Sequence, residues 1–287
     1  MSFSVNTNVG AMTALQSLNS TNQQMSVTQS RINTGLAVAS TKDDSAAYNI
    51  AQGLRGDISG LTAVTSSLNN AKSVTDVAVS GAESISDILN QMKTLAAKGD
   101  DDTLTSDQRS QYNTDFTNLR DQITTIVNSS DFNGVNLLKS GGGSVSALQS
   151  LQGGGSVAPS NGAWDPSTLS VANIDLDLGG AVITVGSGAD ISTQANAHAM
   201  LSTLKDSSDN LATKLSDLGS ASRTIDSQLT FTSKLSDALD SGVGNLVDAD
   251  LAKESANLQA LQVKQQLGVQ ALSIANQAPQ TVLSLFR

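Results

Sequence analysis

The chain has no cysteine, one histidine, one tryptophan and three prolines in 287 residues, and aromatic residues make up only 3% of it. Each scarcity excludes something. Without cysteine there is no disulfide and no thiolate nucleophile, although the compartment stays open, since secreted proteins can also lack cysteine. A lone histidine, His198, has no second imidazole or thiolate to share a metal with. It reads as a partly exposed structural side chain. Large rings usually dominate core burial, so the core must be thin and aliphatic, as between a few long helices. Acidic residues outnumber basic ones 26 to 16, for a net charge of -10. That balance argues against nucleic acid and anionic lipid as partners. No apolar run is long enough to span a membrane, and Met1 to Leu18 lacks the basic and apolar regions of a secretory signal.

Catalytic motifs are missing as well. There is no HExxH, no Gly-x-Ser-x-Gly and no P-loop. Gly141-Gly142-Gly143 and Gly153-Gly154-Gly155 do not sit between a strand and a helix carrying a Lys-Ser/Thr pair, so they read as linkers. Asp100-Asp101-Asp102 lacks the alternating spacing and closing glutamate of a calcium loop. No catalytic, cofactor or metal site is expected, and no enzyme.

Charge is missing from both ends of the chain. Residues 1–30 carry none before Arg31, and residues 265–286 carry none between Lys264 and Arg287. Solvated helices normally carry charge on their outer face, so both ends are expected to be surrounded by protein. The last residues include Val282, Leu283, Leu285 and Phe286, where chains usually fray. Left in water, these four side chains would forgo roughly 6–12 kcal/mol. Just upstream, Leu251, Leu258, Leu261 and Leu272 mark one stripe, while Val263, Leu267, Val269 and Ile274 fall on other faces. A helix apolar on several sides is buried all round, which implies neighbours from other copies.

What is present is heptad spacing. Val64, Leu68, Ala71, Thr75, Ala78, Ala82, Ile85, Leu89, Met92 and Ala96 alternate by four and three without a break. Tyr112, Phe116, Leu119, Ile123 and Ile126 repeat the pattern, and Leu204, Leu211, Leu218, Ile225, Thr232 and Leu239 recur every seven residues. Leu18, Met25 and Ile32 do the same near the start. Sustained 3.5-residue periodicity predicts supercoiled helix packing. The middle differs: residues 141–188 hold 11 of the 23 glycines and no Lys or Arg. GGGSVSALQSLQGGGS reads as a flexible run. LSVANIDLDL and AVITV read as strands of a solvent-facing β insertion, joined by a hairpin at Gly179-Gly180. Thr41-Lys42-Asp43-Asp44 predicts a helix cap followed by acid, and Asp131-Phe132-Asn133-Gly134 predicts a turn.

Three stretches, in order, carry a family resemblance. SRINTGLAVASTKDDSAAYNIAQGL (30–54), FNGVNLL (132–138) and VDADLAKESANLQALQVKQQLGVQALSIANQAPQTVLSLFR (247–287) are similar to the conserved ends of bacterial flagellins. The likeness covers about residues 1–139 and 200–287. It implies a mainly α fold of long antiparallel coiled-coil-like helices from both chain ends, with a small β insertion. Residues 1–44 and 246–287 would form an inner-core helical domain, 45–140 and 190–245 an outer shell, and 141–189 a variable surface region. It implies a structural role, polymerisation into the filament used for swimming. It also implies an export chaperone, cap and hook-junction proteins as partners, and export through the flagellar channel without a cleaved signal. Leu18, Met25, Ile32, Leu258, Leu272, Leu283 and Phe286 are the residues expected to pack the inner core.

Many flagellins carry two arginines in the helix that an animal Toll-like receptor recognises. The matching run holds Leu89, Gln91, Lys93 and Leu95, with Gln91 and Lys93 at the arginine positions. A lysine does not reproduce the guanidinium fork, so weak receptor activation is expected. The alternatives are a hook–filament junction protein of the same family, or a filament-displayed adhesin using Trp164. A displayed zinc protease would need the absent HExxH.

Overall fold

The computed structural model of the chain describes residues 7–153 and 166–284, excepting the side chains at 152, 153, 166 and 278–284. In chain order these form α1 (Val9–Thr34), α2 (Ser45–Gly99), α3 (Ser106–Ser129), β1 (Val145–Gly153), β2 (Pro166–Val171), α4 (Gln194–Val247) and α5 (Leu251–Ser284). The fold is mainly α, with one two-stranded antiparallel sheet among the described residues. Contacts divide the chain into two compact units. One comprises residues up to 56 together with those from 237 onward; the other is 57–236.

Helix starts follow side-chain capping. The Asn8 side chain accepts from Ala11 N–H, and Thr105 and Gln108 form a reciprocal capping box on α3. Asp250 accepts from Ala252 and Lys253 at the start of α5. For α2 the cap expected at Thr41 is instead Asp44, whose Oδ1 accepts from Ala46 and Ala47 N–H at 2.9 and 3.0 Å. An N-cap oxygen must lie two or three residues before the free N–H groups, and α2 begins at Ser45, out of reach of Thr41. Asp43 turns the other way and accepts from Ala39 N–H, Ser40 N–H and the Ser40 hydroxyl at 3.0–3.1 Å. Its carboxyl is held below the ordinary value, chiefly by the Ser40 hydroxyl.

The unit 57–236 is built on the long heptad stripe of α2. All ten stripe residues from Val64 to Ala96 are buried, and the Thr75 hydroxyl is satisfied by donating to the Ala71 carbonyl at 2.8 Å. Phe116 and Ile123 of α3 join them, with Leu204, Leu211, Leu218, Ile225 and Thr232 of α4. Helices α2 and α4 run antiparallel: Lys72 pairs with Asp226 at 2.9 Å and Asp76 meets Ser222. The many alanines let backbones approach, which suits a core with few rings. Asn133 and Gly134 have φ of 53° and 81° in a tight turn closed by two Phe132–Val135 backbone bonds. Two successive positive φ values are the type I′ geometry that Asn-Gly favours.

The middle region departs from the sequence reading. The run taken as a flexible linker contains β1, which pairs with β2 from Val145↔Val171 to Leu148↔Thr168, with an irregularity before Gly153↔Pro166. The hairpin expected about Gly179-Gly180 has its turn, with Gly179 N–H donating to Val185 C=O at 2.7 Å, but 181–185 is not a strand. The reason lies in the pattern: Val182 and Ile183 are adjacent and both buried, which an alternating two-faced strand cannot accommodate. The Thr184 N–H donates to the Ser207 hydroxyl of α4 instead. Nor do most of the region's described apolar residues face solvent. Ala147, Val171, Ile174, Leu176, Val182, Ile183 and Val185 are buried in the same core as α2. Backbone bonds from Ile174 to Leu137 and from Leu176 to Leu138 tie the segment down.

Candidate assembly interface

In the unit that joins the two chain ends, α1 and α5 pair antiparallel. Asn8 Nδ2 donates to the Ala275 carbonyl at 2.7 Å, Gln265 Nε2 to Asn22 Oδ1 at 2.8 Å, and Arg31 Nη1 to Glu254 Oε1 at 3.2 Å. Between these polar contacts runs a heptad seam. On α1 the covered positions are Ala11, Ala14, Leu18, Thr21, Met25, Thr28 and Ile32. On α5 they are Glu254, Leu258, Leu261, Gln265, Gly268, Leu272 and Ala275, again spaced by four and three. The seam ends where the two connections cross. There Ala37 and Val38 N–H donate to Val247 C=O, and Ala249 N–H donates to Gly35 C=O.

Five of the seven residues expected to pack the inner core, Leu18, Met25, Ile32, Leu258 and Leu272, lie on this seam and are half-buried. Leu283 is helical, but its side chain lies outside the described residues, as does Phe286 entirely. So does Trp164. Leu251, read as part of the same stripe, is instead 49% exposed at the first position of α5.

The seam leaves a second apolar surface uncovered. On α1, Val9, Met12 and Val27 are exposed; on α5, Val263, Leu267 and Ile274 are. At roughly 100° per residue each set faces away from the seam, on the opposite side of its own helix. Val9 and Ile274 are 70% and 69% exposed. With Leu15, Leu251 and Val269, nine such side chains are about half exposed. Covering them is worth on the order of 10 kcal/mol at about 1.5–3 kcal/mol per full burial. One association step loses roughly 4–15 kcal/mol of freedom. A single neighbour is therefore marginal, and several neighbours acting together are favourable. The α5 part of this surface was legible as apolar residues off the main stripe. The α1 part was not, because Val9, Met12 and Val27 are scattered among polar residues and gain meaning only once the seam is placed.

The receptor-like stretch lies on α2 in the other unit. Leu89 is fully buried in the core, Gln91 and Lys93 are exposed, and Leu95 is half-buried. Gln91 and Leu95 line an open groove with Asp115, Leu119 and Gln122 of α3. His198, 77% exposed by its side chain, pairs with Asp100 at 3.0 Å. Among the described residues, no group of three His, Asp or Glu could hold a metal ion, and no helix is long and apolar enough to cross a membrane.

Two terminal helices that pair with each other and each leave a further apolar face exposed define a chain with surface for partners to cover. The model of the bacterial flagellin N-terminal helical region matches residues 5–141, and that of the C-terminal helical region matches residues 201–286. The chain is 43% identical to flagellin FljM of Caulobacter vibrioides over 99% of its own length and 98% of that protein. It is 34% identical to a flagellin of Brucella melitensis biotype 1, with 99% of each covered. In fold it is similar to a protein of Vibrio parahaemolyticus described as flagellar hook-associated. That likeness has a TM-score of 0.55 at 20% identity, covering 72% of this chain and 100% of that one. The chain belongs to the bacterial flagellin family. It is a structural subunit that polymerises into the flagellar filament, and not an enzyme.

Proposed function

We propose that the subunit assembles by burying α1 and α5 together as an inner core. In the five-part organisation, 1–44 and 246–287 form the core, and 45–140 with 190–245 the surrounding shell. Residues 141–189 then form the variable surface region, with their buried apolar side chains, among the described residues, packed on the shell helices. Leu18, Met25, Ile32, Leu258 and Leu272 hold the two ends of one chain together. Val9, Met12, Val27, Val263, Leu267 and Ile274 meet neighbouring copies, and Leu283 and Phe286 extend the packing at the terminus. A head-to-tail contact that does not close on itself gives an open helical polymer. Such a polymer carries motor torque through its interlocked helices.

The observation that carries this reading is the pair of opposed apolar stripes on α1 and α5. The charge-free ends point the same way, since solvated helices normally carry charge on their outer face. An export chaperone covering α5 before assembly, a cap protein at the growing tip and a hook-junction protein at the base are the partners such a subunit needs. The proposed route is export through the flagellar channel without a cleaved signal, ending in the extracellular filament. For the receptor-like stretch, buried Leu89 and the Gln91 and Lys93 substitutions support weak activation.

The test is negative-stain electron microscopy of seeded protein, comparing the full chain with one lacking residues 276–287. Long uniform filaments from the first and none from the second are expected. Short capped assemblies from the full chain would instead favour a junction role.

A further inference from the structure

The seam between α1 and α5 is made largely of Ala, Thr, Leu, Met and one Gly. Apart from the seating of Leu18 on Gly268, such residues pack acceptably after a slip of one heptad, so they hold the pairing of the helices more firmly than the choice of which heptads meet. Register is set where a polar or charged residue occupies a seam position and needs one partner. Gln265, bonded to Asn22 at 2.8 Å, is one such residue, but that contact is solvent-exposed and water can replace it; Glu254 is the charged and covered one. It lies in the first turn of α5, is only 8% exposed, and meets Arg31 in the last turn of α1 at 3.2 Å. Arg31 is the sole charged residue of the chain up to that point, so α1 offers Glu254 one cation and no substitute.

Slipping the antiparallel pair by seven residues brings Arg31 against Leu261 or Val247, and Glu254 against Gln24 or Val38. Either slip strands a covered carboxylate, which is far more costly than a mismatch of aliphatic side chains. The arginine also lines a small pocket with Leu36, Ala37 and Asp43 of the α1–α2 connection, and its Nε is buried without a partner.

We propose that Arg31 and Glu254 are the specificity-determining pair of assembly, selecting one register of the two chain ends over heptad-shifted alternatives. This rests on the reading that α1 and α5 are buried together in the filament. The pair acts as a positioning device. Its expected signature is a change of register, and not merely a loss of stability.

The absence of cysteine makes the register readable by disulfide trapping in the full-length chain. Asn22→Cys with Gln265→Cys reports the native register, and Asn22→Cys with Leu258→Cys or Leu272→Cys reports the two slips. Filaments are grown from seeds and oxidised, and the intrachain cross-link is read from monomer mobility after dissolution. In Arg31→Met, the ratio of native to slipped cross-link is expected to fall roughly tenfold, equivalent to about 1.4 kcal/mol. The exchange Arg31→Glu with Glu254→Arg is expected to restore it. If the single variant forms no filament, recovery of filaments by the exchange supports the pair, and failure to recover overturns it. Filaments that show only the native cross-link in every variant would overturn the register role while leaving the assembly reading intact. Failure of the Asn22→Cys, Gln265→Cys chain, which keeps Arg31, Glu254 and every aliphatic seam residue, to form filaments would overturn both.

Discussion

Leu18 of α1 seats directly over Gly268 of α5: its Cδ1 lies 3.3 Å from where a Cβ on that glycine would stand. Two residues 250 positions apart in the chain thus meet on the terminal seam. A glycine in a helix interior is destabilising by roughly 0.5–1 kcal/mol relative to alanine, and here the missing side chain makes room for the leucine.

Gly268→Ala adds one methyl against the flexible end of Leu18, and the gain in helix propensity offsets the crowding. Assembly close to that of the unchanged chain is expected. Gly268→Leu fills the space Leu18 occupies, and overpacking of this kind costs typically about 1–3 kcal/mol. Filaments of that variant should melt at lower temperature or fail to form. Circular dichroism of the depolymerising filament measures both, and equal melting of the two variants would refute the fit.

The two stripes on α5 should respond differently to mutation. Leu267→Gln and Ile274→Gln alter only exposed positions, so the free chain should keep its helix content. Each should raise the concentration needed for filament growth by roughly five- to tenfold, the effect of losing about 1–1.4 kcal/mol of burial. Leu258→Ala, on the seam, should instead weaken the pairing of α1 with α5 inside one chain. Helix content of unassembled protein and the concentration dependence of seeded growth separate the two effects.

The heptad stripes made most of this fold legible. Every stripe residue of α2 from Val64 to Ala96 is buried, because a strict four-three spacing leaves a long helix one way to bury its apolar side. The middle was misread because composition hid its structure. The serines and glycines around β1 suggest a linker, while Leu148 N–H is anchored to the Ser67 hydroxyl of α2 at 3.0 Å. Segment 181–185 looked like a strand because Val and Ile favour strands, yet its Thr184 N–H and its Ala181 and Val182 carbonyls bond side chains of α4. The assembly surface was half visible. Off-stripe residues of α5 announced it, but the pairing of Glu254 with Arg31 spans 223 residues and no local pattern points to it.

Phe116 is the largest fully buried side chain of the unit 57–236. Few rings share that core, so its loss cannot be absorbed by neighbouring aromatics. Phe116→Ala should cost about 3–5 kcal/mol and lower the thermal midpoint of this unit by about 10 °C. Differential scanning calorimetry of the unassembled chain measures it. A change of less than a degree would mean that this core repacks freely, contrary to its density of buried contacts.

Asp43 gives the α1–α2 connection an acid limit. Because its folded value lies below the ordinary one, chiefly through the Ser40 hydroxyl, the carboxylate stabilises the connection above about pH 3.9. That contribution is lost as pH falls through the lower folded value. Amide exchange at Ala39 and Ser40, whose N–H groups the carboxylate accepts, should accelerate in that window relative to the intrinsic rate. Asp43→Asn should show the faster exchange at neutral pH already.

His198 behaves with the opposite sign, at the other unit's junction of α4 with the α2–α3 connection. The Asp100 carboxylate beside its Nδ1 raises its value above the ordinary one, first through the hydrogen bond and then through the charge. The contact is therefore fully favourable below about pH 6.5 and weakens as pH rises through the higher folded value. Since the chain has one histidine, a single imidazole resonance reports it by proton NMR without assignment. The titration midpoint should lie above that of a free histidine and return to it in Asp100→Asn. An unchanged midpoint in that variant would show that the pair does not persist in solution. The fall toward the ordinary value would establish Asp100 as the cause, since no other carboxylate contributes to the shift.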